Sequence, residues 1–235
     1  MRSRTWRKLG LITVFLVGLS WLFLRSVRET MSEPYDIDAA TLSGWSLVLA
    51  DPAQPTVALL ALRPPTQMPA ELFQQIFRRT MESLTTPGVP AMPTVLRAEY
   101  LTSLRSVLSP AEILDVARQT GLEQARLGPL CIGLKREPQG GRSRQLFFAL
   151  FEAPAFDRFR NELARLYAER GGTSPFDPAA LRPILPLASS DSDFTRWWPL
   201  EVDQENDCRA PLTQRPVPAT PQGRHAAYPR SRAGD

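Results

Sequence analysis

"GPLCIGLKRE" (128–137), "PQGG" (138–141) and "RSRQLFFALFE" (142–152) decide how the rest of the chain is read. Two apolar runs flank a short connection ending in Gly-Gly, the pattern of a β-hairpin. Segments of strand and of helix character lie on both sides. Strands therefore both adjoin one another and alternate with helices, which predicts an α+β fold with one mixed or largely antiparallel sheet and packed helices.

On the C-terminal side, Pro154 opens "PAFDRFRNELARLYAERGG", whose Phe156, Phe159, Leu163 and Leu166 form one apolar face before Gly171-Gly172 ends the helix. On the N-terminal side, Ser109 caps "PAEILDVARQTG", with Pro110 at the first helical position, Glu112 at the third and Gly121 at the end. "TVLRAEYL" (94–101) reads as a strand and "TTPGVPAMP" (85–93) as a loop. "PAELFQQIFRRTMESL" (69–84) places Leu72, Phe73, Ile76, Phe77, Met81 and Leu84 on one helical face, with Arg78 and Glu82 paired on the other. "GWSLVLA" (44–50) and "TVALLALR" (56–63) read as strands joined through Asp51-Pro52.

"LRPILPLASSDSD" (181–193) begins as a strand at 182–188 but holds Pro183 and Pro186. Proline donates no ladder hydrogen bond, so Pro186 is expected at an edge or a bulge, turning the chain into a polar loop. A short helical stretch (191–198) and a strand (199–203) complete the domain, giving an extracytoplasmic unit over 44–212. Residues 31–43 read as a linker. From 213 to 235 the chain is a Pro/Arg-rich tail too poor in apolar surface to order itself.

Residues 1–30 read as a cytoplasmic basic flank and a single transmembrane anchor. Leu9 to Leu24 carries no charge and spans roughly 24 Å as a helix, slightly short of a bilayer core of about 30 Å. Arg2, Arg4, Arg7 and Lys8 precede it, against Arg25 and Arg28 after it, which keeps the N-terminus in the cytoplasm. The competing cleaved signal peptide lacks an Ala-x-Ala site after the apolar run. The expectation is a single-pass protein of the bacterial inner membrane, held through residues 9–24, with its main domain in the periplasm.

The net charge of +4 belongs to the chain ends; residues 31–212 hold 18 basic and 22 acidic groups. A nucleic-acid partner is not expected of such a surface. Cys131 and Cys208, the only cysteines, either pair in an oxidising compartment or stand as separate small buried residues. Pairing would close a long loop, adding up to about 4–5 kcal/mol in the chain-entropy model.

His225, in the tail, is the only histidine. Histidine-based triads and acid–base couples are therefore out of reach for the domain, as is a zinc site of the usual ligand set. "GLKREPQGGRS" reads as a turn, without the Gly-Lys-Ser/Thr ending of a phosphate loop. "DSD" (191–193) and "DQEND" (203–207) offer hard-cation ligands but match no EF-hand, and read as solvated turns. No cofactor, metal ligand or catalytic residue is assigned. Trp197 and Trp198 are expected to divide, one ring to the core and one to the surface.

"FDPAALRPILPLASSDSDF" (176–194) resembles the second motif region of the two-histidine (2H) phosphoesterases, a Pro-His-x-Thr-Leu strand followed by a polar acidic stretch. Pro183 matches the proline, Ile184 stands at the histidine and Pro186 at the threonine. "LRSVLSPAEIL" (104–114) resembles the first motif region, with Leu104 at the histidine and Ser106 at the threonine. The resemblance covers roughly 94–203 and implies a 2H-like fold without its catalytic pair. The activity is not carried over.

Taken together, the leading expectation is a non-enzymatic, membrane-anchored binding or adaptor domain of the bacterial envelope with a protein partner, its binding surface near Trp197, Trp198 and the acidic loops. One alternative is a carboxylate-based hydrolase of envelope glycan. The other is a degenerate 2H-like module that holds a phosphorylated ligand through Arg105 or Arg182.

Overall fold

Two sheets carry the fold. The computed structural model describes residues 17–21, 32–140 and 142–215. The first sheet has five strands in the order β1 (Tyr35–Asp38), β8 (Cys208–Arg215), β5 (Gly128–Gln139), β6 (Arg142–Glu152) and β7 (Ile184–Ser189). Only β1 and β8 run parallel, so the sheet is mixed. The second is antiparallel, in the order β2 (Ser46–Leu49), β3 (Ala58–Arg63) and β4 (Met92–Leu96). Helices α1 (Gln67–Thr80), α2 (Arg97–Thr102), α3 (Pro110–Gln119), α4 (Pro154–Glu169) and the single turn α5 (Gln204–Asp207) complete the α+β architecture.

The β5–β6 hairpin forms with Gln139 opposite Arg142. Along β6, Phe147, Ala149 and Phe151 enter the main core, which also takes the inner face of β2–β4 and the apolar stripes of α1, α3 and α4. Leu146, Phe148 and Leu150 point the other way into a second cluster with Cys131, Ile184, Trp197 and Leu200. Burial on both faces explains why this strand reads as a continuous apolar run rather than an alternation. Gly133 lies under the Phe148 ring, where a Cβ would stand 2.2 Å from the nearest ring atom.

Both outer edges of the five-stranded sheet are covered. The Gln75 amide of α1 donates to the Asp36 carbonyl at 2.7 Å and accepts the Asp36 N–H at 3.0 Å, mimicking a missing strand. At the far edge, Ser189 exchanges two backbone hydrogen bonds with Thr85. Pro186 sits on that edge strand beside a register shift opposite Phe147 and Phe148, where its missing N–H costs no ladder bond.

Ser109 caps α3 with its hydroxyl on the Glu112 N–H, and the Glu112 carboxylate returns to the Ser109 N–H at 2.8 Å. That backbone bond, aided by Arg170, holds the Glu112 carboxyl down to about 2. A second polar hub is buried. Arg160 of α4 is 1% exposed and forms a bidentate pair with Glu99 at 2.7 and 3.0 Å; its other donors reach the carbonyls of Thr94, Asp177 and Pro178. Every face of the guanidinium is thereby matched, which such burial requires.

Several expectations are corrected. The linker of 31–43 contains β1 and a 3-10 turn, Ala39–Leu42, with Tyr35, Ile37 and Leu42 buried. "TVLRAEYL" is not one strand: β4 ends at Leu96, and the Glu99 carboxylate accepts the Leu96 N–H at 2.8 Å to start α2. The expected strand at 199–203 is absent: the sheet's two edges, β1 and β7, are taken by Gln75 and Thr85, and Leu200 and Val202 instead pack on the second cluster from an irregular segment. The domain also continues to Arg215 through β8, where only Ala210 and Leu212 turn inward, too few to mark a strand by eye. Of the apolar stretch 9–24, only 17–21 lies within the described residues, and it is helical. Among the described residues no helix is long and apolar enough to cross a membrane. Most of the expected anchor and the tail from 216 fall outside them.

Candidate binding groove

The three-stranded sheet buries one face and leaves the other open. Leu60 and Leu62 of β3 and Met92 and Val95 of β4 enter the main core. Val48, Ala58, Ala61 and Pro93 line the outer side, where their small side chains form the floor of a cavity of about 260 Å³; register shifts between Ala58 and Ala61 break the strict alternation of β3 there. Pro87 and Val89 from the loop before β4 form one wall; Pro186, Phe194 and Trp198 form the other. Through Thr56, Val57 and Trp198 this cavity adjoins a second, of about 450 Å³, bordered by Leu96, Arg97 and Leu101. Through Arg63, Pro87 and Val89 it adjoins a third, of about 640 Å³, which runs along α1 past Pro69, Ala70 and Phe73.

The result is an apolar groove between the two sheets. Among the described residues, Arg63 and Arg97 are the only charged ones lining it, and no carboxylate, cysteine or histidine does. Arg97 is held by its Nε donating to the Pro52 carbonyl at 2.8 Å. Such a lining can bind apolar surface and an anionic group at either end; among the described residues it presents no carboxylate, cysteine or histidine to act as general acid or base.

Residues 190–198 build the far wall, and their acidic character has a local use. Asp191 accepts the Asp193 N–H at 3.0 Å, and Asp193 accepts the Thr195 N–H at 3.1 Å, so each carboxylate caps the next turn. The Thr195 hydroxyl, with Arg196 beside it, holds the Asp193 carboxyl below its ordinary range. Asp203 similarly caps α5, and hydrogen bonding from Asn206 lowers its carboxyl. Asp207 takes the Asp203 N–H at 2.9 Å and Lys135 Nζ at 3.0 Å, fastening α5 to β5. Among the described residues no three of His, Cys, Asp or Glu converge as a metal site.

The adjacent tryptophans part ways. Trp197 is 2% exposed, donates its indole N–H to Ser189 Oγ at 3.2 Å and lies under the Arg144 guanidinium at 4.6 Å. Trp198 is half-buried and borders the groove. Cys131 and Cys208 are joined in a disulfide with Cα atoms 5.8 Å apart, tying β5 to the start of β8 on the second-cluster side.

The remaining candidates do not converge. Arg105 lies exposed in the 3-10 turn Leu104–Ser106; Arg182 is exposed before β7, in a cavity shared with Glu152 and Asp157. Arg105 does not line that cavity, so no pair of arginines is presented to one anion there. Leu104 is buried in the main core, whereas Ile184 belongs to the second cluster on the other face of the sheet. The floor and the Pro87–Val89 wall were not singled out by sequence. The available signal was alanine recurring at 50, 58 and 61 on strand positions where bulk would be expected. No family model, curated protein or solved structure matches this chain.

Proposed function

We propose that this chain is a membrane-anchored, extracytoplasmic binding domain of the bacterial envelope, which holds an extended apolar segment of a protein partner and performs no catalysis. The observation that carries the reading is the groove beside Trp198: apolar, several hundred Å³ in extent, and lined by two arginines but no acid–base pair. The positive ends within a domain of net negative charge favour a segment with flanking carboxylates. The Cys131–Cys208 disulfide supports an oxidising compartment, independently of the apolar stretch at 9–24.

The test is site-specific photo-crosslinking in the intact envelope with the full chain. Probes at Ala61 and Trp198 should trap one recurrent partner peptide, and a probe at Asp157, outside the groove, should not. Equal trapping at all three positions would remove the groove from consideration. Turnover of envelope glycan by the purified chain, abolished by Glu152→Gln or Asp157→Asn, would replace the binding reading with the hydrolase.

A further inference from the structure

We propose that the groove receives the C-terminal end of its partner chain, with Arg97 pairing with the terminal carboxylate. The inference rests on the binding reading of the groove and names what one end of it recognises. β3 and β4 are antiparallel, with Leu62 opposite Met92 and Ala58 opposite Leu96. Arg63, the residue after Leu62, therefore stands at one end of the small sheet. Arg97, whose N–H donates to the Val57 carbonyl at 2.8 Å, stands at the other. From Val57 to Arg63 the strand covers roughly 20 Å, the length of an extended segment of about six residues.

The two arginines are not equivalent. Arg63 is exposed, so water and salt screen its charge. Arg97 is half-buried, and its Nε is fixed on the Pro52 carbonyl at 2.8 Å. Among the described residues nothing accepts a hydrogen bond from its two terminal nitrogens, and no carboxylate pairs with it. Arg144, Arg160, Arg170 and Arg196 each meet a carboxylate instead. A guanidinium oriented in this way presents two donors matched to the two oxygens of one carboxylate.

The surroundings define what accompanies that carboxylate. Val57, Leu96, Leu101 and Trp198 border the cavity of about 450 Å³ beside Arg97, and Leu101 is 38% exposed. Thr56, Thr102 and Thr195 border it too, but their hydroxyls already donate to the Ala58 carbonyl, the Ala98 carbonyl and Asp193. An apolar residue beside Leu101 and Trp198 with its carboxylate on Arg97 fits this lining. Helix α2 leaves β4 at Leu96 and borders the same cavity through Ala98, Leu101 and Thr102. A segment aligned with the strands meets this helix just past Arg97. A chain that ends there needs no onward path, whereas an internal acidic residue does. Capture of a terminal carboxylate is an established mode of peptide recognition.

The test uses the full chain in lipid nanodiscs and fluorescent peptide pools built from Ala, Val, Leu, Ile and Phe. One hexapeptide pool ends in a free carboxylate and one in an amide; a third has glutamate at position six, followed by two alanines and an amide. The free-carboxylate pool should bind about tenfold or more tighter than the amide pool, the range for a charge-assisted hydrogen bond. Arg97→Gln should bring it down to the amide level while leaving amide binding unchanged, which also shows that the variant's groove is folded. Arg63→Gln should weaken it roughly threefold or less. Equal binding of the free-carboxylate and amide pools to the unaltered chain overturns the proposal and leaves the groove reading standing, whatever the variants do. A glutamate pool as tight as the free-carboxylate pool also overturns it, in favour of an internal acidic side chain. Binding by none of the pools removes the groove reading and the proposal together.

Discussion

The five-stranded and three-stranded sheets treat their outer surfaces in opposite ways. The larger sheet is buried on both faces, its second face covered by Trp197, Leu200 and the disulfide, and its edges plugged by Gln75 and Thr85. The smaller sheet packs one face into the core and leaves the other floored by alanine, valine and proline. Of these floor residues Ala61 and Pro93 are buried and Val48 and Ala58 half-buried, so this side carries only small apolar side chains against a cavity. The large sheet is built for stability, and the proposed function places the partner on the open side of the small one.

That contrast is sharpest at Trp197 and Trp198, neighbours in sequence that serve the two sheets separately. Trp197→Ala should destabilise the protein by about 3–5 kcal/mol, the range for emptying a buried aromatic site, read as a shift in the denaturant midpoint of the solubilised chain. Trp198→Ala should leave the midpoint nearly unchanged while abolishing photo-crosslinking from Ala61. Equal stability losses in the two variants would break the division of labour.

Arg160→Ala should also cost about 3–5 kcal/mol, because it leaves the Glu99 carboxylate partly buried without its partner. Arg160→Lys should recover only part of this, since a lysine cannot make the bidentate pair. Replacing both cysteines with serine should cost about 2–5 kcal/mol, with the loss carried by β8 and α5; hydrogen exchange at Ala210 and Leu212 would rise before exchange in β6. A uniform rise would place the disulfide's role elsewhere.

The smallest expected effects lie on the helices. Ser109→Ala should cost about 1 kcal/mol as the loss of a helix cap. The Glu112 carboxyl is lowered on folding from 4.5 to about 2, so its contribution is complete above pH 4.5 and is lost as the pH falls toward 2. Glu112→Gln should therefore flatten the fall in stability across that acid window, measured by denaturant titration at several pH values, and alter the neutral-pH profile little in shape.

How much of this was legible depended on whether the deciding contact was local. The α3 cap could be read because Ser109 and Glu112 are three residues apart and meet within one helical turn. The hairpin could be read because its partners adjoin in sequence. β1 could not: its four residues are recognisable only through β8, 177 positions away from Tyr35. The helix α2 was hidden because Thr94 and Val95 suit a strand and the change at Arg97 is set by Glu99 turning back to Leu96 and accepting Arg160. The groove was hidden for a similar reason, because its walls come from residues 87–89 and 186–198.

By itself, the sequence determined the α+β class, the hairpin, the amphipathic helices, the edge position of Pro186 and a domain without histidine. Each follows from a local period, a short-range cap or simple composition. Tertiary structure alone decided which tryptophan is buried, that the cysteines are joined, that Arg160 is matched on every side and that one sheet face stays open. Those outcomes depend on which distant segments arrive at the same place, and residue spacing along a chain carries little information about distances across a packed core.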